Sequence, residues 1–135
     1  MRLLKKKEFI DMKNSKKENV LVLGASSNRT RYSNLASQML VDYEHSVYAY
    51  GNRGGEIGDL DIKTKWPTNH YFDTITMYLN PKRQEEYWEQ IILLKPQRVI
   101  FNPGTENPDF YKALKGEKIE VVEACTLVLL RTNQF

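Results

Sequence analysis

The stretch Val20-Leu21-Val22-Leu23-Gly24 predicts the fold of this chain. Four consecutive apolar residues that end at a glycine are typical of a strand buried on both faces of a parallel sheet. From Ser33 to Tyr43 the apolar residues recur at helical spacing, so a helix is expected next. A second strand is expected at 46–50, where it ends at Gly51.

The alternation of strands and helices continues along the chain. Further strands are predicted at 74–79, 98–101 and 119–124, and further helices at 81–95, which starts at Asn80-Pro81, and at 108–115. The glycine-rich segment 51–55 is expected to be a loop, and the apolar segment 127–130 fits either a helix or a strand. Five strands alternating with helices predict an α/β fold, in which a five-stranded parallel sheet has helices on both faces.

Composition and charge indicate one globular domain. The chain has 135 residues, 41% hydrophobic and 27% charged, and we expect a single domain at 18–135 after a basic extension at 1–17. The extension holds seven basic and two acidic residues, and the other 118 residues hold 13 basic and 15 acidic. The positive charge therefore lies outside the domain, which argues against nucleic acid as the partner.

The location of the protein is predicted from the same composition. No apolar run of 18 residues is present, so no membrane span is expected. Acidic residues at 8 and 11 interrupt the segment where an export signal would be apolar. A single cysteine, Cys125, excludes an internal disulfide and fits a cytoplasmic protein.

Arginines cluster in the segments that follow the predicted strands. Ligands of parallel α/β sheets bind beyond the carboxyl ends of the strands. Although the domain is net acidic, this edge is expected to carry four arginines: Arg29, Arg31, Arg53 and Arg83. The sequence therefore predicts an anion-binding edge.

The loop after the first strand fits a phosphate group but not the usual dinucleotide fingerprint. Gly24 is followed by small residues and then by a helix, as in a phosphate-binding turn. In the fingerprint frame, however, the second and third glycines are Ser26 and Arg29, and no lysine completes a P-loop. After the second strand, where NAD-dependent enzymes have an acid, stands Arg53, which suits a ribose phosphate such as that of NADP or coenzyme A.

The start of the helix at 81–95 carries two cations, Lys82 and Arg83. The helix dipole disfavours positive charge at this end. Either Glu85 and Glu86 offset the two cations, or an anion is bound over the helix start by its amides and Arg83.

Four stretches together resemble a known family. They are residues 20–33 (VLVLGASSNRTRYS), 79–86 (LNPKRQEE), 98–108 (RVIFNPGTENP) and 123–131 (EACTLVLLR). The chain resembles the small bacterial CoA-binding proteins, which are stand-alone versions of the CoA-binding domain of succinyl-CoA synthetase and of ADP-forming acyl-CoA synthetases.

The resemblance implies a Rossmann-like three-layer fold with strand order 3-2-1-4-5. It places the CoA diphosphate over 24–29 with Ser26 and Ser27 as donors, the 3′-phosphate end near Arg53, and residues 78–80 along the adenine and pantetheine path. One departure is that relatives usually carry Asn-Pro at the position of Gly51-Asn52. The predicted cofactor-binding residues are Gly24, Ala25, Ser26, Ser27, Arg29, Arg31, Tyr32, Arg53, Tyr78, Leu79, Asn80, Arg83, Asn102 and Gly104.

Catalytic groups are sparse in this sequence. His45 and His70 have no evident carboxylate partner, and no spacing of cysteines and histidines predicts a metal site. Cys125 is expected to be structural, and the alternatives are a mixed disulfide with CoA or a role as a nucleophile. The leading hypothesis is a non-catalytic module that binds coenzyme A or acyl-CoA, as a monomer or a dimer. The alternatives are an NADP-dependent oxidoreductase and an accessory subunit of an acyl-CoA ligase.

Overall fold

The computed structural model describes residues 16–135. Within this range seven strands form one sheet: β1 (Asn19–Leu23), β2 (Ser46–Tyr50), β3 (Gly55–Ile57), β4 (Leu60–Lys63), β5 (Thr74–Met77), β6 (Arg98–Phe101) and β7 (Glu120–Glu123). The helices are α1 (Tyr32–Asp42), α2 (Pro81–Gln84), α3 (Trp88–Leu94), α4 (Pro108–Gly116) and α5 (Thr126–Arg131). Residues 1–15 of the predicted extension lie outside the described residues.

The sheet confirms the predicted α/β class. Its order is β3-β4-β2-β1-β5-β6-β7, and all neighbours are parallel except β3, which pairs antiparallel with β4. The five predicted strands are β2, β1, β5, β6 and β7 in spatial order, or 2-1-3-4-5, so the strand predicted at 74–79 lies beside β1 and not at the far side of β2. The implied order 3-2-1-4-5 is found only when β4, which was not predicted, is counted as the third parallel strand. The antiparallel β3 adds one edge, and β7 adds the other.

The sheet has seven strands, and the prediction of five missed β3 and β4. Both strands are short, and their buried residues, Ile57 and Ile62, each follow an acidic residue. Glycine and aspartate have low β propensity, so the local sequence favours a loop. Pairing of Ala49 with Ile62 and of Ile57 with Leu60 is what makes this segment part of the sheet.

Strand β1 lies at the centre of the sheet and contributes side chains to two hydrophobic cores, one on each face of the sheet. Val20 and Val22 pack against Leu40 of α1 and Leu130 of α5 on one face. Leu21 and Leu23 are on the other face, in a core completed by α3, α4 and the segment before β5. The four apolar side chains of β1 are fully buried, whereas Asn19 at its start is exposed. The continuous apolar run is therefore explained by a strand covered on both sides, as predicted.

One predicted helix is interrupted, and one segment whose structure the sequence left open is a helix. The predicted helix at 81–95 is divided into α2, a 3-10 turn at Glu85–Tyr87, and α3. It ends as expected before Pro96, with Lys95 in a left-handed conformation. The apolar segment 127–130, which fitted helix or strand, belongs to helix α5. No helix among residues 16–135 is both long enough and apolar enough to cross a membrane.

Candidate functional site

A cleft of about 680 Å³ lies at the carboxyl edge of the sheet. The loops that follow β1, β2, β5 and β6 line it, because the parallel strands β2, β1, β5 and β6 all end at this edge. Of the fourteen predicted cofactor-binding residues, twelve line the cleft: Gly24, Ala25, Ser26, Ser27, Arg31, Tyr32, Arg53, Tyr78, Leu79, Asn80, Arg83 and Gly104. Arg29 and Asn102 are not among its lining residues.

The start of the β1–α1 loop is fixed against the end of β2. The amides of Gly24 and Ala25 both donate to the carbonyl oxygen of Tyr50, at 3.0 and 2.9 Å. Gly24 has φ +101°, and a Cβ there would lie 3.1 Å from the carbonyl carbon of Tyr78. A glycine is therefore required at this turn. The two amides already have partners, so they are not free donors for a ligand.

The next part of the loop is held from below by α1. The side-chain amide of Asn34, which is buried, donates to the carbonyl oxygen of Ser26 at 2.8 Å. Gln38 in turn donates to the Asn34 side-chain oxygen at 2.6 Å. This chain of hydrogen bonds fixes the backbone of Ser26 where α1 begins. The side-chain oxygen of Ser26 accepts from the amide of Asn28 at 3.1 Å.

Helix α1 begins at the cleft without a side-chain cap. Arg31 is the N-cap residue and makes no capping hydrogen bond, and the first turn contains no acidic residue. Arg31, Tyr32 and Ser33 all line the cleft. The first amides of a helix without a cap favour an anion, since they point outward and carry the positive end of the helix dipole.

The charged side chains that line the cleft are positive. Arg31, Arg53 and Arg83 line it, whereas none of the aspartates and glutamates among residues 16–135 does so. Within residues 16–135, no carboxylate lies within 4.0 Å of these three guanidinium groups. Three arginines without acidic partners raise the local potential in a concave site, and such a potential attracts anions.

Two predicted site residues, Asn80 and Asn102, have structural partners. The Asn80 side chain caps α2 by accepting from the amide of Arg83 at 2.9 Å. Asn102 is buried, and its amide donates to Thr76 Oγ1 at 2.7 Å and to the carbonyl oxygen of Met77 at 2.9 Å. The Asn102 side-chain oxygen accepts from the amide of Thr126 at 2.8 Å, which joins β6 to α5.

An aromatic wall forms one side of the cleft. The hydroxyls of Tyr50 and Tyr87, both lining residues, lie 3.4 Å apart. Trp66, from the connection between β4 and β5, stacks on Tyr87 with ring centroids 5.4 Å apart. Burial and the hydrogen bond with Tyr50 raise the pKa of Tyr87 above its ordinary value. Burial also raises the pKa of Tyr78 to about 12, so both phenols are neutral at physiological pH.

The residues with the most reactive side chains lie outside the cleft. His45 is at the opposite edge, where its Nδ1 accepts from the amide of Glu18 at 3.0 Å. His70 stacks on Phe72, with ring centroids 6.1 Å apart. Cys125 is half-buried at the N-cap of α5 and is not a lining residue.

The cleft also contains residues that the sequence did not single out. Asn52, Gly54, Pro103 and Thr105 are neighbours of predicted residues, so the strand-end rule could have found them. Tyr50 is the last residue of β2 and Tyr87 follows α2, and no local signal marked either. The lining residues outside the predicted set are Leu23, Asn28, Ser33, Tyr50, Gly51, Asn52, Gly54, Tyr87, Pro103 and Thr105.

Solved structures of known proteins share this architecture. A crystal structure of an uncharacterized protein is 38% identical, with a TM-score of 0.86 over 89% of this chain and 99% of that one. A Thermus thermophilus protein is 21% identical, with a TM-score of 0.78 over 98% of this chain and 100% of its own. A hypothetical protein from Pyrococcus horikoshii is 21% identical, with a TM-score of 0.77 over 96% and 92%. The fold is Rossmann-like, as the resemblance implied.

A family model confirms the resemblance that the sequence indicated. No curated protein matches the chain. The model for a CoA binding domain matches residues 18–131, which include every strand and helix described above. The chain therefore belongs to the CoA-binding domain family.

Proposed function

We propose that this protein binds coenzyme A or an acyl-CoA in the cleft at the carboxyl edge of the sheet, and that it holds the ligand without transforming it. The observation that carries the proposal is the set of three cleft arginines, Arg31, Arg53 and Arg83, with no carboxylate from the described part of the chain lining the cleft beside them. Coenzyme A carries a diphosphate and a 3′-phosphate, so it presents several negative charges to such a surface. Family membership points to the same ligand.

Each part of the ligand has a proposed partner. The diphosphate lies over the uncapped start of α1, where Ser26, Ser27 and Arg31 supply donors. The 3′-phosphate is bound by Arg53, which follows β2. A charge-assisted hydrogen bond to a phosphate contributes roughly 1.5–3 kcal/mol, so each arginine is expected to matter for affinity.

A binding role is favoured over catalysis by the side chains that line the cleft. Among the described residues, its lining includes no histidine, cysteine, lysine, aspartate or glutamate. The remaining titratable candidates include Tyr78 and Tyr87, whose pKa values are raised by burial. A group whose pKa is far above neutral is a weak general base and a slow general acid at pH 7.

The test measures binding of coenzyme A, acetyl-CoA, NADP, NAD and ADP to the purified protein. Titration calorimetry gives the Kd of each ligand, and thermal unfolding gives the stabilisation that it produces. Coenzyme A or acetyl-CoA is expected to bind most tightly, and a ligand at 100 times its Kd adds about 2.7 kcal/mol to the free energy of unfolding. NADP is in the panel because Arg53 also suits its 2′-phosphate. Binding of NADP without binding of any CoA compound would contradict the proposal.

Two neighbouring arginines offer a matched pair of variants. Arg31→Gln removes a cleft arginine and is expected to weaken coenzyme A binding by about tenfold or more. Arg29→Gln removes an arginine outside the lining residues and is expected to change the Kd by less than about twofold to threefold. Both variants lower the net charge equally, and neither removes a helix-capping side chain of α1. Equal losses would assign the effect to net charge instead of the site.

A further inference from the structure

The carboxyl edge of the sheet changes its charge from one end to the other. Of the cleft arginines, Arg31 and Arg53 follow β1 and β2 in loops, and Arg83 lies in α2, the short helix that follows β5. Beyond β6 this edge carries carboxylates, which include Glu106 in the β6–α4 loop and Glu123 at the end of β7. Within residues 16–135, no lysine or arginine lies within 4.0 Å of either carboxylate. The edge is therefore positive over its centre and negative at its β6–β7 end.

Glu106 is not itself a lining residue of the cleft, but it is hydrogen-bonded to one. One of its carboxylate oxygens accepts from the amide of Gly104 at 2.7 Å, and Gly104 is a lining residue. Gly104 has φ +91°, and nothing lies within 4 Å of the position that a Cβ would take there. The carboxylate is thus held beside an open part of the cleft, at the end remote from Arg53.

The second carboxylate lies on the same side of α4. The hydroxyl of Tyr111 donates to Glu123 at 2.8 Å. Burial, this hydrogen bond, and the charges of Glu123 and Glu106 raise the pKa of Tyr111 to about 12. The charges of both carboxylates raise the pKa of the same phenol, so the two carboxylates lie in one region of the carboxyl edge of the sheet.

This charge pattern has a consequence for the ligand, which rests on the proposed function. With its 3′-phosphate at Arg53 after β2, the ligand crosses β1 and β5 before it reaches β6. Three strand spacings amount to about 14 Å, which an extended pantetheine arm covers. The thiol end, with any acyl group on it, then lies over Pro103, Gly104 and Thr105, beside Glu106.

We propose that Glu106 makes the site selective for acyl-CoA ligands whose acyl group has no negative charge. A carboxylate on the acyl group would meet the carboxylate of Glu106, and a neutral or cationic group would not be repelled. Coulomb's law at the dielectric constant of water gives a several-fold loss of affinity for like charges about 5 Å apart.

The experiment measures the Kd of three thioesters with acyl groups of the same chain length: propionyl-CoA, malonyl-CoA and β-alanyl-CoA. Propionyl-CoA is expected to bind about three- to tenfold more tightly than malonyl-CoA, and β-alanyl-CoA at least as tightly as propionyl-CoA. In Glu106→Gln the ratio of malonyl to propionyl Kd is expected to fall below about twofold. The glutamine oxygen can still accept from Gly104, so the variant removes the charge and keeps the loop.

Glu117→Gln is the matched control, because this exposed residue at the other end of α4 changes the net charge equally. It is expected to leave the malonyl-to-propionyl ratio unchanged. The wild-type ratio is also expected to shrink when salt is raised from about 10 mM to about 1 M, since the Debye length falls from about 30 Å to about 3 Å. A merely structural role for Glu106 predicts no such dependence of the ratio.

The outcomes separate this inference from the proposed function. If coenzyme A binds and the malonyl-to-propionyl ratio is the same in wild type and Glu106→Gln, the selectivity assigned to Glu106 is refuted and the binding function stands. Equally tight binding of malonyl-CoA and propionyl-CoA by the wild type refutes it as well. Failure of coenzyme A and all three thioesters to bind overturns the proposed function, and this inference with it.

Discussion

The carbonyl oxygen of Ala25 lies 2.5 Å from the position that a Cβ would take on Gly51. The β1–α1 loop and the end of β2 therefore approach so closely that no side chain fits between them. The amide of Gly51 also donates to the carbonyl oxygen of Lys63 in β4 at 3.0 Å. Gly51 thus joins three adjacent segments beneath the cleft, where the backbone of this chain leaves no room for a Cβ.

Gly51→Ala is expected to lower the free energy of unfolding by about 1–3 kcal/mol, because a methyl group must displace backbone atoms. It is also expected to weaken coenzyme A binding, since both displaced loops line the cleft. Urea unfolding and calorimetry measure the two effects.

The control for Gly51→Ala is Gly116→Ala at the end of α4, where nothing lies within 4 Å of a built Cβ. This change removes glycine's conformational freedom from a helix, so it is expected to raise stability by up to about 1 kcal/mol. If Gly51→Ala left the free energy of unfolding unchanged, the two loops would be able to move apart without an energetic cost.

Arg53→Ala is expected to weaken the binding of coenzyme A by about tenfold or more, because a charge-assisted contact with the 3′-phosphate is lost. Dephospho-CoA, which has no 3′-phosphate, is expected to lose less than about threefold. Arg53→Lys keeps the charge and is expected to fall between wild type and alanine. If the variant lost affinity equally for both ligands, Arg53 would not be the residue that binds the 3′-phosphate.

Asn102→Asp tests whether this predicted site residue acts through the fold. The replacement loses the two donors to Thr76 and Met77 and places a carboxyl group among their oxygens. Each unpaired buried group costs about 1–3 kcal/mol, so a loss of several kcal/mol of unfolding free energy is expected. Burial should raise the pKa of the new carboxyl, so the deficit should grow as the pH increases above about 4.

Urea unfolding of Asn102→Asp at several pH values measures this effect. Coenzyme A affinity, measured well below the unfolding temperature, is expected to change little, because Asn102 is not among the cleft's lining residues. A large loss of affinity with normal stability would instead make Asn102 a direct ligand contact.

His45 is expected to make the stability of the fold depend on pH. Burial lowers the pKa of His45, Lys17 and Arg98 act in the same direction, and Glu18 opposes them. Its Nδ1 accepts from the amide of Glu18, and Phe135 packs on the ring with centroids 4.9 Å apart. Protonation of Nδ1 would break that hydrogen bond.

The sign of the effect follows from the lowered pKa. Between the folded-state pKa and the unfolded value of about 6.5, the unfolded chain binds more protons, so the free energy of unfolding rises with pH through this window. Above about pH 6.5 the contribution is complete, and it is lost on acidification. Urea unfolding from pH 5 to 8 measures the slope.

His45→Gln provides the control for this slope, because the glutamine oxygen can accept from Glu18 and does not titrate. The slope between pH 5 and 7 is expected to be shallower in this variant than in wild type. Identical slopes in the two proteins would assign the pH dependence to other groups.

Local sequence was sufficient to identify the central strands and most helices. The run at 20–23, the apolar spacing in α1 and the proline after Asn80 are short-range signals, and the structure confirms the elements that they predicted. Strands β3 and β4 escaped prediction because their sequence favours a loop and only pairing with β2 makes them strands. The break in the helix at 81–95 was likewise not marked by a proline or glycine.

The candidate site was predicted from the rule that parallel strands end at one edge, which brought twelve of the fourteen residues to one cleft. The rule fixes the position of a loop and leaves the direction of each side chain open. Asn102 follows β6 as expected, yet it turns inward to bond Thr76 and Thr126, which are 26 and 24 residues away in sequence. Arg29 and Arg31 are two residues apart, and only Arg31 lines the cleft.

The sequence by itself determined the α/β class, and it predicted the edge of the sheet at which the cleft lies and the arginines that line it. These properties depend on periodicity, turn residues and charge counts, which are local quantities. Only the tertiary structure decided which donors already have partners, because Gly24 and Ala25 donate their amides to Tyr50 and the Asn102 side chain donates to Thr76 and Met77. Hydrogen bonds are satisfied between groups that meet in space, and most of these partners are distant along the chain.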